Sequence, residues 1–496
     1  MNVSVSGIAR TVLVAAAGAG LVLAATQSQG AIALGAKAAD DSRVSGSTDP
    51  VRGSTVVCPG PELRGVPGVD DVPLGVRVAA AAAPTAALAG VTPVSAPGSV
   101  ALTAVPGGTA KDKATLRGDT AAADVAGRAG VLAEASQSMA PGLAAAQSWL
   151  VPSGDHRALV SSTCTQAGSD FWVLAGGGAP GRQERLVLTN PGGNAVTVDL
   201  TLHGPDGKLA SPQGKGIVVP ARGRTSFLVD SISGDVASPA LHVVAEGGVV
   251  AAAVNDSWLD GTRPAGSDDA VPTAPPSRDQ VIPAVQVAGP AVLRVAVPGD
   301  AEAVVQARVL TATGPRALPT GSVTRLDGGQ VRDIDLSRLP FGTVGIQVRA
   351  DVPVVAAAMV ARGNPGAPSD FAWSSSTPAL TGVAGLPLMD PSGSPKPLAR
   401  GLGLSATGDS AVVEVVTVDA SGTAKTQRVT VAKDSSATLN LAGTTSVWVR
   451  QVSGKGQVHG GVISAISVAD GTLITSTPLL DAALRTTSVS LREVRH

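Results

Sequence analysis

Alternation of apolar and polar residues is the clearest structural pattern in this chain. Over 196–203, apolar residues occupy every second position, and Thr, Asp or His lies between them. A period of two predicts a β-strand with one buried face. Gly-Pro-Asp-Gly at 204–207 predicts a turn after this strand, and Asn-Pro-Gly-Gly at 190–193 predicts one before it. The sequence around 186–204 therefore predicts a hairpin.

One sequence phrase recurs four times, at a period of about 100 residues, which is the size of one β-sandwich domain. The copies cover 131–150, 244–259, 348–358 and 447–461, and three of them contain Ala-Ala-Ala, at 144–146, 251–253 and 356–358. An acidic residue follows each copy: Asp170, Asp268, Asp370 and Asp470. No long amphipathic helix intervenes, which excludes βαβ units. We therefore predict an all-β chain of tandem antiparallel, immunoglobulin-like β-sandwiches.

These signals divide the chain into seven predicted segments. They are a signal peptide or membrane anchor at 1–38, a polar linker at 39–53, β-sandwich repeats at 54–178, 179–276, 280–380 and 382–484, and a basic tail at 485–496. Short Pro-rich links predict that the repeats are strung semi-rigidly. Within the first repeat, the Ala-rich stretch 120–139 also fits a helix. Its alignment with the later copies favours a strand at 131–135.

The N-terminus predicts export. Arg10 precedes an uncharged run from Thr11 to Ala25, and small residues follow at 31–38. This order is typical of a secretory signal. The run is near the lower limit for a membrane-spanning helix, so a retained anchor stays open beside a cleaved signal. Both alternatives place the bulk of the protein outside the cytoplasm, with membrane contact only through this segment.

The two cysteines, Cys58 and Cys164, fit that compartment. Two cysteines in an exported chain usually pair, so we expect a structural disulfide. A reactive thiol pair or a zinc site is the alternative, but the chain has neither the C-x-x-C spacing nor the four-ligand pattern that these require.

Composition narrows the function classes. Aromatic residues make up 2% of the chain and Tyr is absent, so Val, Ala and Leu must build the cores. The formal net charge is -1 and no basic patch is visible, so nucleic acid is not an expected partner.

The sequence predicts no catalytic, cofactor or metal site. The five histidines are spread over three repeats and the tail, whereas a triad must converge. Glycines at 176–181 match G-x-G-x-x-G, but a strand and not a helix is predicted next. The recurring Asp residues could bind calcium, but each position offers too few oxygens, so turn capping is favoured. Trp149, Trp258 and Trp373 are either core residues or candidate sugar contacts.

Several of these features together resemble a known family. They are the export segment, the spacing of Cys58 and Cys164, the strand at 186–192 with its turn at 204–207, and the Ser-Asp ends of the repeats. They are similar to a family of exported actinobacterial proteins of unknown function that is built of immunoglobulin-like repeats. The resemblance implies an extracytoplasmic location and brings no activity or cofactor. The absence of Tyr departs from antibody-type domains, because no tyrosine corner can form.

The sequence therefore predicts a non-catalytic, exported or membrane-anchored scaffold or interaction protein of the cell envelope. Its partner would be an envelope protein or a wall polymer. A carbohydrate-binding or wall-polymer-binding module is the alternative, and an enzyme with an unrecognised site is a third.

Overall fold

The computed structural model describes residues 45–62, 75–209, 211–364 and 366–488, and these are almost entirely β-structure. One short helix, α1 (Asp230–Ser233), and 3-10 turns at Thr85–Leu88, Gln137–Met139 and Pro212–Gly214 interrupt the strands. The strands of the first half are β1 (Ser45–Pro50), β2 (Gly53–Cys58), β3 (Gly75–Ala82), β4 (Val100–Val105), β5 (Ala110–Ala114), β6 (Thr120–Ala126), β7 (Gly130–Ser136), β8 (Leu143–Val151), β9 (Ala158–Thr163), β10 (Asp170–Leu174), β11 (Arg182–Thr189), β12 (Val196–Gly204), β13 (Gly207–Leu209), β14 (Ile217–Val219), β15 (Arg224–Leu228), β16 (Ala240–Glu246), β17 (Ala251–Asp260) and β18 (Arg263–Ala270).

The second half continues in the same way. Its strands are β19 (Ser277–Val287), β20 (Ala291–Ala296), β21 (Ala303–Thr311), β22 (Gly314–Ala317), β23 (Val323–Leu326), β24 (Val331–Asp335), β25 (Gly342–Arg362), β26 (Asp370–Ser375), β27 (Val383–Pro387), β28 (Ala399–Thr407), β29 (Ala411–Asp419), β30 (Ala424–Val431), β31 (Ser435–Asn440), β32 (Thr444–Gly454), β33 (Gln457–Val468), β34 (Gly471–Pro478) and β35 (Arg485–Ser488).

One strand order recurs four times in the described residues. Sheet pair 1 (53–163) has the orders β2-β7-β4-β5 and β6-β3-β8-β9. Sheet pair 2 (170–270) repeats this as β10-β16-β12-β13 and β15-β11-β17-β18, and sheet pair 4 (383–478) as β27-β32-β29-β30 and β31-β28-β33-β34. Sheet pair 3 (277–375) has the same order, except that the single long strand β25 runs through both of its sheets. All of these pairings are antiparallel, as the sequence predicted.

Each sheet pair encloses a core between its two sheets. In sheet pair 2, Val198 and Leu200 from one sheet and Leu188 and Val254 from the other belong to one buried cluster. The alternation predicted at 196–203 is confirmed, because its apolar residues are all buried. Gly385 makes room for a large side chain within one sheet: an added Cβ would lie 2.1 Å from the ring of Trp448, its partner on the neighbouring strand β32. Val, Ala and Leu make up most of the four cores, as the composition predicted.

The recurring phrase marks two consecutive strands that lie in opposite sheets. In sheet pair 1 it covers β7 and β8, and in sheet pair 2 it covers β16 and β17. The strand predicted at 131–135 is confirmed within β7, and 120–126 is strand β6 although its composition also suits a helix. Pairing with β3 overrides the helix propensity of this Ala-rich segment.

The hairpin predicted around 186–204 is wrong. β11 pairs with β15 and β17, whereas β12 pairs with β13, β14 and β16 in the other sheet. The turn at 190–193 therefore carries the chain from one sheet to the other. Asn190 is fully buried, and its Nδ2 donates to the carbonyl oxygens of Asn194, Val219 and Pro220. The turn at 204–207 does join a hairpin, since Gly204 pairs with Gly207.

Two predicted segments near the ends contain strands. β1 lies inside the predicted linker 39–53 and forms a two-stranded sheet with β35, inside the predicted tail. The predicted signal or anchor at 1–38 and the tail from 489 lie outside the described residues. Of the described helices, none is long and apolar enough to cross a membrane.

The sheet pairs are not strung out along the chain, because residues Ser47–Thr486 form one compact unit. Sheet pairs 1 and 2 share a cluster with Val57, Leu132 and Ala251, and sheet pairs 4 and 1 share one with Trp448 and Ala81. Phe371 and Trp373 of sheet pair 3 pack into the core cluster of sheet pair 2, so these two sheet pairs also share a cluster. Between sheet pairs 3 and 4, the Ser405 hydroxyl donates to the Pro283 carbonyl at 3.3 Å. The contacts therefore close into a cycle.

Candidate functional site

The last strand of every sheet pair lies at the centre of this contact cycle. β9 packs against β18 and β34, and β26 packs against the same two strands. We call these four strands the central strands. They carry many buried polar residues, which sequence patterns for an apolar core would not predict. Some of these buried polar residues are the recurring Asp residues.

Asp268 bonds across the centre to two other sheet pairs. Its Oδ2 accepts the backbone N–H of Trp373 at 2.7 Å, and its Oδ1 accepts the Thr475 hydroxyl at 3.0 Å. Asp370 accepts the backbone N–H of Ile474 at 2.8 Å. Burial raises the pKa of both carboxyls well above the ordinary Asp value.

The neighbouring Asp269 has a different set of partners. It accepts hydrogen bonds from the Gln147 amide at 3.0 Å, the Ser162 hydroxyl at 3.2 Å and the Asn255 amide at 3.1 Å. Burial raises its pKa to about 6, although these donors oppose the shift. Gln147 and Ser162 belong to sheet pair 1, so this carboxyl links sheet pairs 1 and 2.

Turn capping is therefore wrong for Asp268 and Asp370, which lie on strands and bond between sheet pairs. Asp470 is exposed and precedes β34. Its carbonyl accepts from the guanidinium of Arg157 at 3.2 Å, and Arg157 also donates to the Ser369 carbonyl at 2.8 Å. In the described residues, no group of three or more His, Cys, Asp and Glu is arranged to hold a metal ion.

Trp373 anchors sheet pair 3 to sheet pair 2. Its ring is buried, and its indole N–H donates to Asp256 at 2.7 Å. Asp256 also accepts two hydrogen bonds from the Arg182 guanidinium, at 2.8 and 2.6 Å. On the ring itself, the Arg294 guanidinium lies 5.1 Å from the centroid, a cation–π contact. Burial raises the pKa of Glu184, which lies 3.8 Å from Arg182.

A cavity of about 420 Å³ opens at one end of the central strands, and we call it the linker cavity. Its lining includes residues from 163–168, 272–275, 378–380 and 480–482, the segments at and after the ends of the four central strands. Leu143, Phe171, Ala251 and Leu480 supply apolar surface. This volume is in the range of small-molecule sites. No sequence motif points to the cavity, because each segment contributes only a few residues.

A second cavity of about 410 Å³, the His242 groove, adjoins the first and shares Asp170, Phe171, Thr273 and Pro275 with it. Asp170 accepts from Nε2 of His242 at 2.8 Å, and 67% of its side chain is exposed. The His242 ring stacks on Trp172, with centroids 4.6 Å apart. Asp170 begins β10 and its carboxylate bonds to a side chain of the adjacent strand β16, so it is not a turn cap either.

The structure separates the predicted site residues. Cys58 and Cys164 form a disulfide, as predicted, and Cys164 lines the linker cavity. Trp149 and Trp373 are buried and present no ring face to solvent. Trp258 is partly buried, its indole N–H donates to the Pro180 carbonyl, and the Arg182 guanidinium lies 5.5 Å from its centroid.

Sequence reasoning missed Phe171, His242 and Thr273 as cavity residues. His242 faces Asp170 because β10 and β16 are adjacent strands, with Asp170 opposite Val244 and Trp172 opposite His242. The only available signal was Phe171 following the Ser-Asp marker. That signal cannot reveal a partner 72 positions away.

The described residues thus form an all-β repeat protein, with four sheet pairs of one strand order, a single disulfide and a cavity shared by all four. The chain belongs to a family of unknown function (DUF5719), whose model matches residues 118–442.

Some solved structures are weakly similar to this chain. One is the crystal structure of Thermotoga maritima 1070, with 14% identity over 21% of this chain and 95% of that one, at a TM-score of 0.18. Another is a tetra-tandem repeat in the extending region of a large adhesion protein, with 15% identity over 79% and 94%, at 0.08. A third is a Streptomyces avermitilis alpha-L-rhamnosidase complexed with L-rhamnose, with 9% identity over 77% and 55%, at 0.12. No curated protein matches the chain. These TM-scores support no argument about fold or function.

Proposed function

We propose that this protein is a non-catalytic interaction protein of the cell envelope, which binds an envelope protein or a wall polymer at the linker cavity. One observation carries the proposal: connecting segments from all four sheet pairs line a single cavity. A string of independent sandwiches would keep these segments apart. Bringing them together requires the whole contact cycle, so the cavity is a product of the complete repeat array.

The proposal places the protein outside the cytoplasm, secreted or anchored through residues 1–38. The disulfide between Cys58 and Cys164 supports this, because such bonds persist in oxidising compartments. The signal-like N-terminus also supports a location outside the cytoplasm. We also interpret the sheet pairs as immunoglobulin-like sandwiches of the exported actinobacterial type that the sequence resembles.

The chemistry of the cavity suits binding. Its wall is largely apolar, with a few polar groups that could orient a ligand. Asp481, one of its two carboxylates, accepts the backbone N–H and hydroxyl of Thr381, each at 2.7 Å, and the backbone N–H of Gly382 at 3.3 Å. Asp481 therefore fixes the shape of the wall.

Site-specific photo-crosslinking in intact cells tests this function. A photoreactive residue at Gln166, an exposed residue of the cavity lining, should give a discrete adduct with an envelope component. The same residue at Asp206, which is exposed on the β12–β13 turn, is the matched control. Equal adducts at both positions, or none at Gln166, would contradict a partner site at the cavity. Fractionation of the same cells tests the extracytoplasmic location.

A further inference from the structure

The charged residues around the two neighbouring cavities are mostly acidic. Asp170 and Asp481 are the acidic residues of the described lining, which contains no Lys or Arg, and His242, which bonds to Asp170, is its one basic residue. This acidic bias favours a cationic guest over an anionic one. Asp481 already has three hydrogen-bond donors, whereas Asp170 has an exposed side chain in both cavities.

The surroundings of Asp170 hold it in place. His242 occupies one carboxylate oxygen, Oδ1, and is itself fixed by stacking on Trp172. Trp172 in turn contacts His203, with ring centroids 4.8 Å apart. The carboxylate is therefore held by the partly exposed His242 ring, which the buried rings of Trp172 and His203 support, and its remaining oxygen is available to a guest. Phe171, the next residue, is partly exposed and lines the same two cavities.

We propose that these neighbouring cavities bind a ligand that carries an ammonium group on an apolar body, with Asp170, which lines both, pairing the ammonium. Phe171 adds an aromatic face of the kind that attracts cations. The apolar walls from Leu143, Ala251 and Leu480 take up the body of the ligand. The inference deepens the proposed function and rests on the cavity being a binding site. A lysine side chain of a peptide and a free small amine share this chemistry.

Three probes of similar size and different charge test the proposal on the full chain: benzylamine, benzyl alcohol and benzoate. At neutral pH benzylamine is a cation, and we expect it to bind about fivefold more tightly than benzyl alcohol, as a partly exposed ion pair with a ring contact allows. Benzoate should bind most weakly. Raising the salt concentration should weaken the binding of benzylamine and leave that of benzyl alcohol unchanged.

Asp170→Asn is the decisive variant, because Asn keeps an oxygen that can accept from His242 while the charge is lost. It should reduce benzylamine affinity to that of the alcohol, whereas Asp206→Asn, which removes one exposed charge elsewhere, should change nothing. Phe171→Leu should reduce amine affinity about threefold. Amine and alcohol affinities that are equal, or unchanged in Asp170→Asn, would overturn the proposal.

Two further probes separate the sources of the ammonium group. An acetylated, amidated Ala-Lys-Ala peptide is compared with Ala-Gln-Ala, and both with benzylamine. Preference for the lysine peptide supports a peptide ligand, tighter binding of benzylamine supports a small amine, and discrimination by neither overturns the inference. A Gln166 adduct that persists without amine selectivity would leave the proposed function intact and reject only this ligand class.

Discussion

The central strands and the linker cavity carry the same Ser-Asp marker in opposite environments. Asp268 and Asp370 are fully buried and accept backbone N–H groups from neighbouring sheet pairs. Asp170 is exposed at the cavity and accepts from a partly exposed histidine. The difference follows from position, because Asp268 and Asp370 lie on the last strands of their sheet pairs, whereas Asp170 begins the first strand of sheet pair 2. A residue that recurs at a fixed spacing in the sequence therefore need not have the same place in the fold or the same role.

The largest expected effect comes from removing the Trp373 ring, which anchors the central strands. Trp373→Ala should lower the free energy of unfolding by about 4 kcal/mol, because it leaves a large cavity. It also removes the indole donor of Asp256. Urea unfolding measures the loss. Trp258→Ala, on a partly buried ring, is the control and should cost less than about 2 kcal/mol. Equal losses would contradict the anchoring role of Trp373.

Removing the disulfide tests the part of the structure beside the linker cavity. Replacing Cys58 and Cys164 together by Ser should lower stability by about 3 kcal/mol, since the bond closes a long loop. The bond spans 106 positions, and Cys164 also lines the cavity. Thermal unfolding of the two forms gives the difference. The matched check is the native protein with added reductant, which should approach the stability of the variant. An unchanged melting temperature in both would contradict the structural role.

Asp268 separates hydrogen bonding from charge in the central strands. Asp268→Ala should cost about 2 kcal/mol, because it leaves the Trp373 N–H without its acceptor and removes one of the two acceptors within reach of the Thr475 hydroxyl. Asp268→Asn keeps an acceptor for the backbone N–H and should cost less than half as much. Denaturant titration of both variants tests this. Asn as damaging as Ala would show that the carboxyl itself is required.

The raised pKa of Asp269 predicts that the free energy of unfolding depends on pH. Its pKa is raised to about 6 in the fold, above the ordinary value of 3.8, so the folded state binds more protons between these values. Its contribution to stability is therefore full below about pH 4 and is lost as the pH rises through 6, by at most about 1.4 kcal/mol per pH unit. Asp269→Asn should remove this slope. Unfolding at pH 4, 5, 6 and 7 compares the two proteins, and parallel profiles would contradict the shift.

His459 acts in the opposite direction over the same range. Burial lowers its pKa from 6.5 to about 4, so the folded state binds fewer protons and stability is lost as the pH falls from about 6.5 to 4. The wild-type profile contains both slopes. The Asp269 contribution must therefore be obtained as the difference from Asp269→Asn.

The sequence predicted the strands better than their partners. Alternation at 196–203 locates β12, because burial of one face imposes a period of two. The turn at 190–193 misled, since turn residues show where the chain reverses but do not show whether it changes sheet. The disulfide was predictable from the cysteine count together with the export that the N-terminus predicts.

The cavity was not predictable, since its walls come from segments separated by about 100 residues along the chain. The buried Asp residues were misassigned for a similar reason. An Asp in a repeat is usually exposed, and only contacts such as Asp268 with Thr475, 207 positions apart, make its burial tolerable.

That contact also provides the most direct test of the closed cycle, because it joins sheet pairs 2 and 4 across the centre. A double-mutant cycle with Asp268→Ala and Thr475→Val, followed by urea unfolding, measures their coupling energy. The closed cycle predicts coupling of about 1 kcal/mol, as for directly bonded side chains. Additive effects of the two substitutions would contradict the closed arrangement and, with it, a cavity shared by all four sheet pairs.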